Sequence, residues 1–389
     1  MTEKTHQPPA TAAALSISLD GETPIFCFSE AALLSRAKLF LGGFKGETTF
    51  AVKSNPSREV IGALAKADLK SWDVASVQEM ELVHSLQPQA HFHYHNPIKS
   101  RREIERAYKE FNCRRFCVDC REELSKIQAV VGDDRAIEIA VRLVLPRDRG
   151  ASAHDFSTKF GAPEHIAIEL LKKVKALGFI PVLTFHPGSQ SKDPQTYARH
   201  IEAAARIAKQ AGVQITTLNV GGGFPADYEY SKAPEPDVYF RVIEVARDQH
   251  FAGMPLPKLE CEPGRGLVAG CMSLLTCVKL VCTDGDDIFI NDGVYGGLME
   301  YWQVPELKPP VRAIRQGKVL DGPVKNWKVF GPTCDPMDVL PHRLDLPTHL
   351  QDGDFIEFGM LGAYGISTAT HFNGYGAFQI SAVGDVLKS

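Results

Sequence analysis

The chain has 389 residues, of which 44% are hydrophobic and 23% charged, with a net charge of −4. That length predicts more than one domain, because single cores stop growing beyond about 250–300 residues; the mild acidity gives no electrostatic case for nucleic acid or an anionic membrane as partner. The N-terminal stretch MTEKTHQPPATAAAL has no apolar signal region and no run approaches the ~20 apolar residues of a membrane span, while the nine cysteines form no paired Cys-x-x-Cys sets, so a cytoplasmic protein with reduced thiols and no metal site is expected.

In chain order, residues 1–15 are polar and Pro/Ala-rich and predict a flexible end. Pro24–Phe28 reads as a strand. Eight β-type runs follow: TTFAVK (48–53), SWDVA (71–75), HFHYH (91–95), RRFCVD (114–119), IEIAVRLVL (137–145), IPVLTFH (180–186), ITTLNV (215–220) and PKLECE (257–262). Helical segments separate several of them. Glu164–Leu177 is one, with Gly178 as its C-cap; Gln195–Ala211 is another, with Ile201, Ala204, Ala205 and Ala208 on one face. Eight βα units in about 240 residues match a closed (β/α)8 barrel, although an open doubly wound α/β sheet would alternate in the same way.

Past residue 271 the texture changes to strand-like runs separated by Gly, Asp and Pro: SLLTCVKLVC, DIFIND, KNWKVFG, DFIEFG and FQISAV. This predicts a C-terminal all-β domain, of sandwich or barrel type, that also takes the Pro24–Phe28 strand. The expected division is residues 1–28 as N-terminal segment and strand, 29–270 as barrel and 271–389 as β domain.

Polar and glycine-rich clusters end the predicted barrel strands, where sites of this architecture are built. Lys53-Ser54-Asn55-Pro56 ends run one, and Asp73 and Arg142 lie in runs two and five. His186-Pro187-Gly188-Ser189 ends run six, Gly221-Gly222-Gly223 run seven and Glu262-Pro263-Gly264-Arg265 run eight. A lysine closing an apolar strand can be partly desolvated, which suits Schiff-base chemistry; in isolation it is more often a snorkelling lysine. The triple glycine bares backbone N–H groups, and Arg265 adds a fixed cation, so loops seven and eight read as a phosphate site. Glu262 could serve a cofactor or pair with Arg265. His186 could stack on a planar ring or be a hydrogen-bonded structural histidine, and Asp73 and Arg142 could be ordinary ion-pair members. In the β domain, Cys334 of Gly331-Pro332-Thr333-Cys334-Asp335 stands between polar turn residues, and a small buried core thiol is the competing reading.

Eight ordered motifs, FAVKSNP, WDVAS, HPGSQ, NVGGGFP, CEPGRGLVA, NDGVYGG, GPTCDPMDVL and GAYGISTATHFNG, fall between Phe50 and Gly374, and the similarity they mark runs from about Ile25 to the C-terminus. Together they resemble the fold-type-III pyridoxal-phosphate decarboxylases, ornithine/lysine decarboxylase branch. The resemblance implies pyridoxal 5'-phosphate as cofactor, carried on Lys53. It implies that Glu262 pairs with the pyridine nitrogen and that His186 stacks on the ring. Ser189, Gly222, Gly223, Gly264, Arg265 and Tyr364 would hold the phosphate, and Asp73 and Arg142 would support Lys53 and the ring. Cys334 would protonate the substrate α-carbon, and Cys334 and Asp335 would come from the partner of a homodimer with shared sites.

The chain departs from that branch at GGLMEYWQVPE. There Tyr301 is followed by Trp302-Gln303, where a Tyr-Asp pair normally supplies a carboxylate for the substrate's distal ammonium. Asp335, Glu300 and Tyr295 are the remaining candidates to meet it. L-Ornithine, giving putrescine and CO2 for polyamine synthesis, is the expected substrate. Lysine, diaminopimelate and a siderophore-type precursor are the alternatives. A racemase would need a second base facing Lys53 and would lack GPTCD; a non-catalytic regulator would not need Lys53, Glu262 and Cys334; a sugar-phosphate barrel enzyme would give Lys53 and GPTCD no role.

Overall fold

The computed structural model describes residues 8–145, 159–229, 231–282 and 284–388. It divides into two compact units. One comprises Ala37–Pro225 and Ala233–Gly266; the other gathers the chain up to Arg36, Ala226–Lys232 and everything from Leu267 onward.

The first unit is built on a closed parallel barrel. After β1 (Ile25–Phe28), which belongs to the other unit, come β2 (Glu47–Ala51), β3 (Ser71–Val74), β4 (His91–Tyr94), β5 (Arg115–Val118), β6 (Glu138–Arg142), β7 (Ile180–Thr184), β8 (Thr217–Asn219) and β9 (Lys258–Cys261). Closure is made by β2 beside β9, with Glu47 opposite Glu260 and Thr48 opposite Cys261. All eight predicted runs are strands, and the closed barrel replaces the open-sheet alternative. The two predicted helices span Glu164–Ala176 and Gln195–Ala211, and the second buries Ile201, Ala204, Ala205 and Ala208. Gly178 takes φ +76° just past the end of the first, the left-handed conformation that closes a helix there.

Two local expectations are corrected. Lys53 does not close a strand: β2 stops at Ala51, and Val52–Ser54 form a 3-10 turn. Ser54 Oγ donates to Ala51 O (2.7 Å) and Asn55 N to Val52 O (3.0 Å), local bonds that compete with the ladder. The N-terminal segment is also not wholly loose. Residues 1–7 lie outside the described residues, but Ala12–Ser16 is a helix capped by Thr11, whose Oγ1 accepts from Ala14 N (3.3 Å). Alanine's helix propensity and a Thr cap explain it, and Ala12, Ala13 and Leu15 join a core with Ile25, Cys27, Leu275 and Phe355.

The second unit is a nine-stranded sheet. Its strands are β10 (Met272–Val281), β11 (Asp287–Ile290), β12 (Val311–Arg315), β13 (Lys318–Val319), β14 (Val324–Phe330), β15 (Leu344–Pro347), β16 (Phe355–Phe358) and β17 (Gln379–Ala382), together with β1. The N-terminal strand joins as expected, antiparallel to β10 and parallel to β17. Three strands escaped the sequence reading: β12 carries two arginines, β13 is two residues long and β15 ends in proline, so none shows a clean alternation.

Candidate active site

Lys53, in the 3-10 turn after β2, meets Asp73 of the adjacent strand β3. Lys53 Nζ donates to Asp73 Oδ2 at 2.9 Å; the lysine side chain is 42% exposed and the aspartate 3%. An amine that solutes can reach is thus held by a carboxylate that water cannot. Burial, and then Glu262, raise the pKa of Asp73, against the opposing pull of Lys53. Glu79, accepting Ala75 N–H at 2.6 Å, is pushed by burial to about 7.

Below this pair the barrel axis is polar, where such barrels ordinarily stack branched aliphatic side chains. Glu262 Oε1 is bonded by His95 Nδ1 and by Asn219 Nδ2 (2.6 Å). Asn219 Nδ2 also reaches Glu260 Oε1 (2.6 Å), and its Oδ1 accepts Gly221 N–H (2.7 Å), tying the column to the triple-glycine turn. Glu260 takes His93 Nδ1 (3.0 Å) and the Arg115 guanidinium, which continues to Glu138. Burial raises the Glu260 pKa, but His93 and Arg115 outweigh it and hold the carboxylate well below its usual range. Glu262 is likewise pulled down to about 2, its burial outweighed by His95 and then Lys53. Two triads, His93–His95–Glu260 and Asp73–His95–Glu262, bring metal-ligand atoms within 4.8 Å of one another; Arg115 and Lys53 already neutralise them.

The glycine turn faces the His186–Gln190 loop. Gly221 has φ +69° and a Cβ there would sit 2.1 Å from Phe185 O; Gly223 has φ +88° and a Cβ would sit 2.5 Å from Gly188 O. No other residue fits either position. Gly223 O accepts Ser191 N–H (2.9 Å), Gly222 O accepts Tyr197 Oη–H (2.7 Å), and Gly264 lies against Ser54. Buried Arg265 points at Ser189 Oγ with Nε at 3.4 Å. His186 accepts Gly188 N–H on Nδ1 (3.1 Å), and burial, with Arg142 and Lys53 nearby, lowers its pKa to about 3, so the imidazole is neutral. Arg142 ends β6 with its guanidinium 5.7 Å from the Phe160 ring.

The remaining predicted residues lie in the second unit. Cys334 is the exposed member of nine free cysteines, which removes the core-thiol reading. Its N–H and Sγ both bond Asn373 Oδ1 (3.2 Å each). Tyr295 Oη donates to Asp335 Oδ2 (2.8 Å), and Tyr295 packs on Phe372 with ring centroids 4.7 Å apart. Buried Asp338 accepts Thr333 N–H (2.9 Å), Thr333 Oγ1–H (2.7 Å) and Val294 N–H (3.0 Å), fixing the cysteine loop to the loop after β11. Glu300 is buried on the Met299–Gln303 helix, and Tyr364 is half-buried with φ +61°.

Sequence reading missed His93, His95, Asn219, Glu260, Arg115 and Asn373. The signal was available in the strands: His91, His93 and His95 alternate in HFHYH, and Glu260 and Glu262 alternate in LECE, a period of two that turns each set to one side of its strand.

The chain is similar to known proteins in both sequence and fold. The family model described as pyridoxal-dependent decarboxylase, pyridoxal binding domain, matches residues 31–269. A lysine/ornithine decarboxylase of Selenomonas ruminantium is 32% identical over 84% of this chain and 80% of its own length. Antizyme inhibitor 2 of Xenopus laevis is 31% identical over 84% and 73%. The crystal structure of lysine/ornithine decarboxylase from Vibrio vulnificus complexed with putrescine superposes with TM-score 0.80 at 25% identity, covering 95% of this chain and 96% of that one.

Proposed function

The chain belongs to the pyridoxal-dependent decarboxylase family and acts on basic amino acids, and from that premise we propose that its reaction is the decarboxylation of L-ornithine to putrescine and CO2. The observation that carries the reading is the reachable amine of Lys53, held at 2.9 Å by buried Asp73 in the same polar cluster as Glu262.

The residues present fit pyridoxal phosphate. Lys53 offers the primary amine for its aldehyde. At Gly222 a Cβ would come within 3.1 Å of His186 Nε2, so bare backbone keeps room beside the imidazole for a flat ring. Ser189, Gly223, Gly264 and Arg265 offer hydroxyl, backbone and guanidinium donors for a phosphate. Glu262, ionised, has one oxygen left over for the ring nitrogen. When bound, the cofactor supplies an electron sink for the pair released as CO2 departs.

The chain's own side chains supply the rest. Asp73 keeps the Lys53 amine oriented. His186, neutral, would face the cofactor ring without adding charge. Cys334 Sγ delivers a proton to the α-carbon, which commits the product to an amine. Asp335, oriented by Tyr295, meets the distal ammonium. In a homodimer, Cys334 and Asp335 of one subunit serve the barrel of the other. The choice of ornithine rests on relatives named as ornithine or lysine/ornithine decarboxylases.

A CO2-release assay of purified protein with L-ornithine, L-lysine, L-arginine and meso-diaminopimelate tests it. The highest kcat/KM is expected for ornithine. A preference for any of the other three overturns the ornithine assignment, and a protein that leaves all four intact overturns the class.

A further inference from the structure

We propose that His95 is a positioning residue for the cofactor: with Asn219 it clamps one oxygen of Glu262 and so presents the other, ionised, to the ring nitrogen. The inference rests on the pyridoxal reading above and deepens it.

The geometry is specific. His95 follows β4, its N–H bonded to Val74 O at 3.1 Å, and its side chain turns inward like that of His93. Its Nδ1 bonds Glu262 Oε1 and lies 3.8 Å from Asp73 Oδ1. Asn219 Nδ2 reaches the same Oε1. Among the described residues no side-chain hydrogen bond reaches Glu262 Oε2. Two donors on one oxygen fix the carboxylate plane and leave the second oxygen for another partner.

Charge requires the imidazole as well. Asp73, Glu262 and Glu260 are three buried carboxylates in one neighbourhood. Lys53 and Arg115 are the cations that meet them from the other strands, and His93 bonds Glu260 from beside His95. Burial opposes a charge on His95, but Glu262, then Asp73 and Glu260, outweigh it and raise its pKa. The imidazole therefore holds a proton more firmly than a free one, while Glu262 is pulled down to about 2. The amide of Asn219 can orient the carboxylate but cannot neutralise it.

A space-filling role does not account for this residue. His95 Nε2 is buried and without a hydrogen-bond partner among the described residues. Burying such a group is costly, and an apolar side chain of similar size would avoid the cost. What the imidazole offers here is its other nitrogen, bonded to Glu262 Oε1.

The test is a double-mutant cycle on the dissociation constant of pyridoxal phosphate, read by absorbance titration of apoprotein. His95→Ala is expected to weaken binding about tenfold (~1.4 kcal/mol) in the wild-type background and less than about twofold when Glu262→Gln is already present. His95→Gln, which keeps a donor without the charge, should fall between wild type and His95→Ala. The 15N shift of cofactor labelled at the ring nitrogen should move toward the unprotonated value in His95→Ala, because a more basic Glu262 keeps the proton. Equal losses in both backgrounds, or an unmoved 15N shift, would falsify the assignment. Far-UV circular dichroism checks folding; if His95→Ala does not fold, His95→Gln carries the cycle. Borohydride reduction of wild type separates the two readings: absence of a pyridoxyl adduct on Lys53 sinks the pyridoxal site itself, whereas an adduct with an additive cycle sinks only His95.

Discussion

In the barrel, three acids of the Lys53 cluster, Asp73, Glu262 and Glu260, are buried and already paired, at 3%, 7% and 0% exposure, and each meets a cation or an amide. In the β unit, Cys334 is exposed, with Met337, Phe372 and Tyr375 exposed on the same and neighbouring loops. Its backbone is nevertheless held, by Asn373 at the cysteine and by Asp338 at Thr333. The first region has its low dielectric built in, so its charges are set before any ligand arrives. The second has built its geometry but not its surroundings. A thiol that gives a proton to carbon works best where water is excluded. The apolar side chains around Cys334 are what a covering surface would bury, which is the physical content of assigning this loop to a partner's site.

The comparison breaks most sharply at Lys53. In Lys53→Ala, CO2 release is expected to fall roughly 10⁴-fold, as when an activated nucleophile is removed, and borohydride should trap no cofactor. Residual turnover above a hundredth of wild type would mean that the barrel does not carry the chemistry. Cys334→Ala should cost less, roughly 10²-fold, because it removes a proton donor and leaves the electron sink intact. Its signature lies in the products: CO2 should still appear, accompanied by aldehyde rather than diamine. If the diamine yield matches that of wild type, the exposed thiol has no catalytic part.

These two residues were legible in the sequence because each stands in a local motif, at a strand end or in a polar turn. The eight strands were legible because parallel barrel strands are short apolar runs bounded by turn residues. His95 and Asn219 were not, because their meaning depends on which strands close against each other. HFHYH read only as a strand until β4 and β9 were placed across one barrel, with Glu262 within reach of His95. The Lys53 turn was missed for a different reason: the run TTFAVK continues the β pattern, and Ser54 ends it through a side-chain bond to Ala51 O that composition does not reveal. Asn373 could be read only as a turn residue, since its contact with Cys334 spans 39 positions.

The smallest expected effect separates the two regions by pH. Glu262, at about 2, and Glu260 are held below their ordinary range, so their contribution to barrel stability is complete above about pH 4.5 and is lost as pH falls toward 2. Asp292, beside the cysteine loop, goes the other way. It is buried and accepts Gly297 N–H at 2.9 Å; burial pushes it from 3.8 to about 7, with Asp338 adding to the rise. Between those values the folded chain keeps a proton that the unfolded chain has released. The folded state is therefore favoured less as pH rises through this window, and the loss levels off above about 7. Between pH 5 and 7 the decline should be roughly 2 kcal/mol, seen as a lower urea midpoint for the β-unit transition. Asp292→Asn, which keeps an acceptor for Gly297 and cannot ionise, should flatten that decline while leaving the acid-side loss in place. A variant with the wild-type slope would assign the alkaline sensitivity to another group and remove the contrast in sign between the two regions.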